Sequence, residues 1–355
     1  MKKIGILTGG GDCPGLNAVI RAVVRKSSGY KWATIGIRNG WKGLIDGDMI
    51  PISDRHVSGI LPKGGTILGT SRTNPFKQQD DVDKVVENIK KFKIDAIVAI
   101  GGEDTLGVAL KLYNLGIPIV GVPKTIDNDL SGTDFTFGFD TAVSIVTEAI
   151  DRLHTTAESH HRVIVLEVMG RHAGWIATIA GIAGGADEIL IPEKPFDLNL
   201  VCKNLKARYD SGKTFSIVVA SEGAKPKAVD KLSTLSEEKD DFGHVRLGGI
   251  GNYLGKEIEK RLGVETRVTV LGHVQRGGTP TAYDRVLATR FGIAAVKLLK
   301  DENYGKMVAL KGNKILPVNL EEAVAELKTV DMELYEIAKV FFGKVEIEEL
   351  VDNIV

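Results

Sequence analysis

Between residues 124 and 129 the chain reads Lys124-Thr125-Ile126-Asp127-Asn128-Asp129, a cation, a hydroxyl and two carboxylates within six residues. Such a set can take a proton from an alcohol and steady a phosphoryl group, and one of the two carboxylates is available to a magnesium ion through water. Five further clusters carry the same mixture of glycine and polar residues: Gly9-Gly10-Gly11-Asp12, Gly101-Gly102-Glu103-Asp104-Thr105, Met169-Gly170-Arg171-His172-Ala173-Gly174, Ser221-Glu222-Gly223 and Gly272-His273-Val274-Gln275-Arg276-Gly277-Gly278. Glycines at Gly9–Gly11 and Gly101–Gly102 let backbone N–H groups approach a phosphate, and helices that follow them would aim their positive ends at the same anion. Arg72, Arg162, Arg171, Arg267 and Arg276 supply planar forks suited to phosphate. Arg171 and Arg276 stand out because glycines flank them. Neither glycine loop is G-x-x-x-x-G-K-[ST]. A dinucleotide fold would need an acid about 20 residues after the first loop, at the end of the second strand, where this chain has Arg38-Asn39-Gly40.

The elements that must position these clusters are legible from hydrophobic pattern. Ile4–Leu7, Ala33–Ile37, Ala96–Ile100, Ile117–Val122, Val163–Val168, Glu188–Ile191, Phe215–Ala220 and Arg267–Leu271 read as strands, several apolar throughout as parallel strands buried on both faces are. Val82–Phe92, Thr141–Thr156 and Tyr283–Lys300 have helical spacing, so the alternation implies an α/β fold. Six strands end in a cluster, and in open α/β sheets ligands bind outside the carboxyl ends of the strands. Lys225–Asp241 reads as a charged surface insertion, and Glu321–Gly343 as one or two C-terminal helices.

Composition narrows the function classes. The 355 residues suggest about two domains, with 43% apolar and 26% charged residues as in ordinary globular proteins. Lys+Arg and Asp+Glu are both 46, which argues against a general nucleic-acid or membrane-surface binder. Cys13 and Cys202 give neither a disulfide framework nor a zinc site. No apolar run reaches the ~18 residues of a membrane span, and the expected location is cytoplasmic. His154, His160, His161 and His172 read as solvated residues rather than a metal cluster, since no H-x-x-x-H pair has a matching acid.

The stretch Gly9–Asn17, together with Pro123–Asp129, Met169–Arg171 and Gly272–Gly278, resembles the bacterial-type 6-phosphofructokinase family, with motifs in order from residue 4 to about residue 300. The resemblance implies an α/β fold: two three-layer α/β domains with mostly parallel sheets, and the active site in the cleft between them. It implies a phosphoryl-donor domain over 1–140 and about 275–305, and a sugar-phosphate domain over 141–274 and about 306–355. The implied reaction transfers a phosphoryl group to the 1-hydroxyl of fructose 6-phosphate with Mg2+, in a homodimer or homotetramer whose subunits share sites. By the same resemblance Asp127 is the general base, supported by Thr125 and Asp129, and Arg171 clamps the transition state beside Met169 and Gly170. Ile126, Glu222, His273, Val274, Gln275 and Arg276 contact the sugar phosphate. Arg162 and Arg267 reach a partner subunit's sugar phosphate, and Gly11, Arg72 and Gly102 contact the donor. Glu103, with Asp129, stands at the metal, where the family usually has aspartate.

Members of the family use ATP or pyrophosphate. ATP users carry glycine after the metal carboxylate, and this chain has Asp104 there. Two like charges about 4 Å apart at an effective dielectric of ~20 repel by about 4 kcal/mol, roughly a thousandfold in affinity against an α-phosphate. Lys124 matches the second mark of pyrophosphate users, an ammonium that neutralises a compact donor and leaving group. The expected donor is therefore pyrophosphate, with an ATP-dependent member as the alternative. The regulated members' effector pocket is matched by Arg21 and Arg25, but Asp54, His154 and Ser211 fall where that pattern prefers arginine; Arg55 could compensate, yet the expectation is against nucleotide control. A nicotinamide oxidoreductase lacks its ribose acid, and a non-catalytic sugar-phosphate sensor has no need of Asp127 and Arg171.

Overall fold

The computed structural model describes residues 1–227, 236–239, 245–246 and 248–342. In chain order the elements begin β1 (Lys3–Thr8), α1 (Leu16–Gly29), β2 (Ala33–Ile37), α2 (Trp41–Asp46), β3 (Met49–Ile52), α3 (Gln79–Phe92), β4 (Ala96–Gly101), α4 (Glu103–Asn114) and β5 (Ile119–Pro123). They continue with α5 (Phe139–His160), β6 (Val163–Val168), α6 (Trp175–Ala183), β7 (Glu188–Leu190), α7 (Leu198–Asp210), β8 (Ser216–Ser221), β9 (Ser236–Lys239) and β10 (Val245–Arg246). The last are α8 (Ile250–Leu262), β11 (Thr266–Val270), α9 (Ala282–Lys300), β12 (Lys306–Lys311), β13 (Lys314–Asn319), α10 (Leu320–Ala325) and α11 (Met332–Lys339). All eight strands expected from the apolar runs are present, with ends shifted by a residue or two. The expected insertion at Lys225–Asp241 falls largely outside the described residues. The chain forms two compact units, the first from Met1–Thr141 and Arg276–Lys328, the second from 142–227, 248–275 and 329–342.

The first unit is built on a seven-stranded sheet of order β13-β12-β5-β4-β1-β2-β3. Its five inner strands are parallel, and both edge strands, β3 and β13, run antiparallel to their neighbours. Each edge strand carries a proline, Pro51 and Pro317, which an edge accommodates because no ladder N–H is needed on its open side. α1 and α9 pack on each other, while α4 packs on α10 and α2 on α3. Leu7, Ile37, Trp41, Leu106, Leu112, Ile119 and Leu320 belong to one buried cluster of this unit. The chain leaves β1 toward β2 and later returns to β4 on the other side of β1. The point where strand order reverses therefore lies between the carboxyl ends of β1 and β4, where a crevice opens in such sheets.

The stretch 306–328, expected with the sugar-phosphate domain, belongs instead to the first unit. β12 is apolar at its centre (Met307, Val308, Ala309, all buried) and pairs in parallel with β5, covering an edge that would otherwise stay open. Its lone Lys-flanked run, KMVALK, is too short to distinguish strand from helix by period.

The second unit holds a four-stranded, wholly parallel sheet of order β11-β6-β8-β7. Strands β6, β7 and β8 are buried at every position. Val163, Val165, Val218, Ala220, Leu205 and Leu254 lie in the core between this sheet and helices α7 and α8. Because β8 and β11 flank β6, the loops after those three strands are neighbours, and that adjacency assembles the residues of the second unit described below.

Candidate active site

In the first unit the loops after β1, β4 and β5 converge. Gly9 N–H donates to Ile100 O (2.9 Å) and Lys124 N–H to Gly101 O (3.0 Å), which ties the three strand ends together. Thr105 fills the space between them: a Cβ on Gly9 would lie 2.6 Å from its Oγ1, and one on Gly101 would lie 2.2 Å from its Cβ. These two glycines are there for close approach. Gly11 is crowded from both sides. Lys124 Nζ donates to Gly11 O, and a Cβ on Gly11 would lie 2.6 Å from Arg276 Nη1. The structure thus brings Gly11, Lys124 and Arg276 together from segments remote in sequence. Arg72 lies on an exposed stretch sewn to the same loop, since Thr70 Oγ1 donates to Gly10 O (2.6 Å) and Gly10 N–H to Ser71 O (3.0 Å). Asn17 holds the far wall, donating to Lys63 O and accepting from Ile67 N–H (2.8 Å).

Burial pushes the Lys124 ammonium below the usual lysine range, and the neighbouring Arg276 guanidinium acts the same way, against the attraction of Asp127 and Asp12. Lys124 is thus desolvated, the setting in which an ammonium charge acts most strongly on a neighbour. Cys13 is buried beside it, and burial raises its thiol far above the usual range, which keeps it un-ionised.

Asp127 is buried and held locally: its N–H donates to Thr125 Oγ1 (3.0 Å), which itself donates to Asp127 Oδ2 (3.4 Å). Thr136 Oγ1 donates to Thr125 O (2.8 Å). Asp127 Oδ1 is buried with no hydrogen-bond partner. An unpartnered buried carboxylate oxygen costs about 1–3 kcal/mol or more, so it marks an atom kept for a ligand. Asp129 is buried one residue beyond Asn128, and Ile126 packs into the core. Glu103 and Asp104 open α4, whose N-cap, Gly102, offers no side-chain cap.

No cluster of three or more His, Cys, Asp or Glu side chains able to hold a metal by themselves occurs among the described residues. Mg2+ seldom uses such a cage; it takes one or two carboxylates and completes its shell with water and substrate phosphates. Glu103 in the first turn of α4, with the buried carboxylate of Asp129, fits that donor set.

In the second unit the loops after β6, β8 and β11 bring Met169, Gly170, Arg171, Glu222 and Gln275 together. Arg171 N–H donates to Glu222 Oε1 (3.2 Å), Met169 N–H to Gln275 Oε1 (3.2 Å), and Glu222 N–H to Val168 O (2.8 Å). Gly170 and Arg171 both have positive φ, 144° and 53°. A Cβ on Gly223 would lie 2.0 Å from Arg171 O, so only glycine lets the two loops meet. Gln275 is buried, while His273 and Val274 are exposed on the turn before it.

Arg162 and Arg267 are not part of that set. Both grip Glu265, Arg162 at 2.8 Å, and together they hold its carboxyl below the usual range, Arg162 by its hydrogen bond foremost. Arg162 precedes β6 and Met169 follows it, so six strand residues, roughly 20 Å, separate the two positions. Of the effector-like positions, Asp54 accepts from Ser28 Oγ (3.0 Å) and the His154 ring pairs with Gly184 O (2.9 Å). Among the described residues no helix is long and apolar enough to cross a membrane. Lys328, which bonds into the Asp127 loop from 200 positions away, has no signal in the sequence, and Thr105, named there in its cluster, had no role of its own.

Residues 3–299 match the family model described as Phosphofructokinase. The chain belongs to the phosphofructokinase family. It is 60% identical over 343 residues to a pyrophosphate--fructose 6-phosphate 1-phosphotransferase of Streptomyces coelicolor, covering 96% of this chain and all of that relative. An ATP-dependent 6-phosphofructokinase 3 of the same organism is 54% identical over 329 residues, covering 92% of this chain and 96% of that one. Among solved structures, phosphofructokinase from Saccharomyces cerevisiae superposes with a TM-score of 0.83 at 31% identity, over 96% of this chain and 50% of the yeast chain. The order of loops Gly9–Asn17, Pro123–Asp129, Met169–Arg171 and Gly272–Gly278 is thus that of a phosphofructokinase.

Proposed function

We propose that this phosphofructokinase transfers a phosphoryl group from pyrophosphate to the 1-hydroxyl of fructose 6-phosphate, yielding fructose 1,6-bisphosphate and phosphate. The observation that carries the reading is the buried, locally braced Asp127 with an unpartnered Oδ1, next to a desolvated Lys124 that is bonded to the glycine loop. In the forward step Asp127 takes the proton of the sugar hydroxyl, the freed oxygen bonds to phosphorus, and the bridging P–O bond breaks. The leaving phosphate gains the charge, and Lys124 and Arg276 lie beside Gly11 to neutralise it. Mg2+, when held by Glu103 and Asp129 with the donor's oxygens, would screen the charge of the transferred group.

Pyrophosphate rather than ATP is favoured by Asp104 in the first turn of α4, and by the donor in the name of the 60%-identical relative. Gly11, Arg72 and Gly102 serve the donor. Met169, Gly170, Arg171, Glu222, His273, Val274, Gln275 and Arg276 serve the sugar phosphate, and Arg171 steadies the transition state. Arg162 and Arg267, tethered by Glu265 far along β6 from Met169, support the reading that they serve a partner subunit in a homodimer or homotetramer.

Asp127→Ser tests the mechanism. A positioned general base is worth about 10²–10⁴-fold, so kcat falls by that factor while KM for fructose 6-phosphate changes little. A kcat within a few-fold of the wild type removes Asp127 from the role of base.

A further inference from the structure

The loop that carries Thr125, Asp127 and Asp129 has an unusual backbone at its centre: Asn128 is left-handed, with φ 52°, between the two carboxylates. A left-handed non-glycine residue is held at a cost, somewhat less for asparagine, and persists where its surroundings over-determine it. Thr125 braces Asp127 from the N-terminal side. The C-terminal side is held by a strap from the other end of the first unit's chain. Lys328 Nζ donates to Asn128 Oδ1 (3.0 Å), Thr133 O (2.9 Å) and Asp134 O (2.8 Å). An ammonium has three N–H donors, and these three oxygens belong to one loop. The strap is continuous along the backbone: Lys328 N–H donates to Asp129 O (2.9 Å), Leu327 bridges Leu130, and Ser131 Oγ donates to Glu326 O (2.7 Å).

We propose that Lys328 is a positioning residue for phosphoryl transfer, its ammonium fixing Asn128 and so the orientation of the Asp127 carboxylate. The inference rests on the reading of Asp127 as base. Asn128 Oδ1 also accepts from Thr136 N–H (3.1 Å), so the asparagine is clamped between the lysine and the loop's return strand. Losing the ammonium would release a hydrogen bond that ties Asn128 to a residue outside its own loop. Burial of this side chain lowers its pKa to about 8 despite the nearby carboxylates of Asp134 and Asp129. A cation kept partly desolvated on a surface strap has a reason beyond solubility.

The test compares Lys328→Met in two backgrounds, using the full chain with saturating fructose 6-phosphate, magnesium and pyrophosphate. In the wild-type background kcat should fall about 10–100-fold, with KM for both substrates within about threefold. In the Asp127→Ser background the same change should alter the residual rate by less than about threefold, because the group being oriented is gone; such non-additivity is the signature of coupled residues. Equal factors in both backgrounds would mean that Lys328 acts on the amount of folded protein, and would overturn the proposal. If Asp127→Ser itself costs little, the base reading fails instead. Asn128→Gly keeps the positive φ and removes the acceptor, so it should repeat the pattern of Lys328→Met; additive effects of the two would overturn the proposal. Should Lys328→Met not fold, the Asn128→Gly pair of measurements decides alone. Ser131→Ala cuts a neighbouring tie of the same strap and should leave kcat within about twofold; a loss as large as that of Lys328→Met would refute a specific role for the ammonium.

Discussion

Replacing Lys124 with methionine keeps the side chain's length and removes its charge and its donors. The ammonium is desolvated, bonded to Gly11 O and flanked by Arg276, so its effect on a donor phosphate is poorly screened. A unit charge about 4 Å from another at an effective dielectric of ~20 is worth about 4 kcal/mol. If about half a charge builds on the leaving phosphate by the transition state, Lys124 contributes about 2 kcal/mol to the barrier, roughly thirtyfold in kcat. The ground-state attraction lost with it raises KM for pyrophosphate as well. Stability moves differently, because two terms oppose. Gly11 O loses its donor, at about 1–3 kcal/mol, while the burial of an ammonium is relieved. The thermal midpoint should therefore stay within a few degrees of the wild type. Initial rates of fructose 1,6-bisphosphate formation, with thermal unfolding on the same samples, separate the two. A folded Lys124→Met protein whose kcat/KM for pyrophosphate is within about threefold of wild type would refute the electrostatic role.

Gly223→Ala places a Cβ 2.0 Å from Arg171 O, so one of two active-site loops must move; overpacking of this kind costs about 1–3 kcal/mol, and kcat/KM for fructose 6-phosphate should fall about tenfold or more, as steady-state kinetics will show. Asp284, buried and accepting from Thr141 N–H and Oγ1, has its pKa raised from 3.8 to about 6, chiefly by burial. The unfolded chain then loses this proton first as pH rises, so the group lowers stability progressively between about pH 4 and 6, by on the order of 3 kcal/mol above that window. The midpoint of Asp284→Asn relative to wild type should accordingly rise from pH 4 to pH 7, and a flat difference in scanning calorimetry would contradict the assignment. Asp104→Gly removes bulk and charge from the first turn of α4; ATP use should appear or increase while pyrophosphate use falls, as measured with each donor separately.

Much of this was legible because the chemistry is local in sequence. Gly9–Gly11, Gly101–Asp104 and Lys124–Asp129 each follow an apolar run that could only be a buried strand, so strand ends and clusters were found together. What the sequence hides is what long-range closure makes. Thr105 explains two glycines that look like phosphate-loop residues, yet nothing in its helical context points back at Gly9 and Gly101. The pairing of β12 with β5 and the reach of Lys328 to Asn128 join segments nearly 200 residues apart, and a single lysine after a short apolar run carries no periodic signal. β3 stays hidden for another reason: four residues including a proline carry too little pattern to mark a strand, and an antiparallel edge is where such a strand is tolerated. The role proposed for Arg162 and Arg267 comes from the resemblance alone, since their contacts here are with Glu265 rather than with Arg171 or Glu222.

The phosphoryl donor separates the two branches of the family. Purified protein with fructose 6-phosphate and magnesium, supplied separately with pyrophosphate and with ATP, gives kcat/KM for each. The arrangement of Asp104, Lys124 and Asp127 predicts turnover with pyrophosphate and little or none with ATP. A higher kcat/KM for ATP would contradict the charge argument and make the chain an ATP-dependent member of its family.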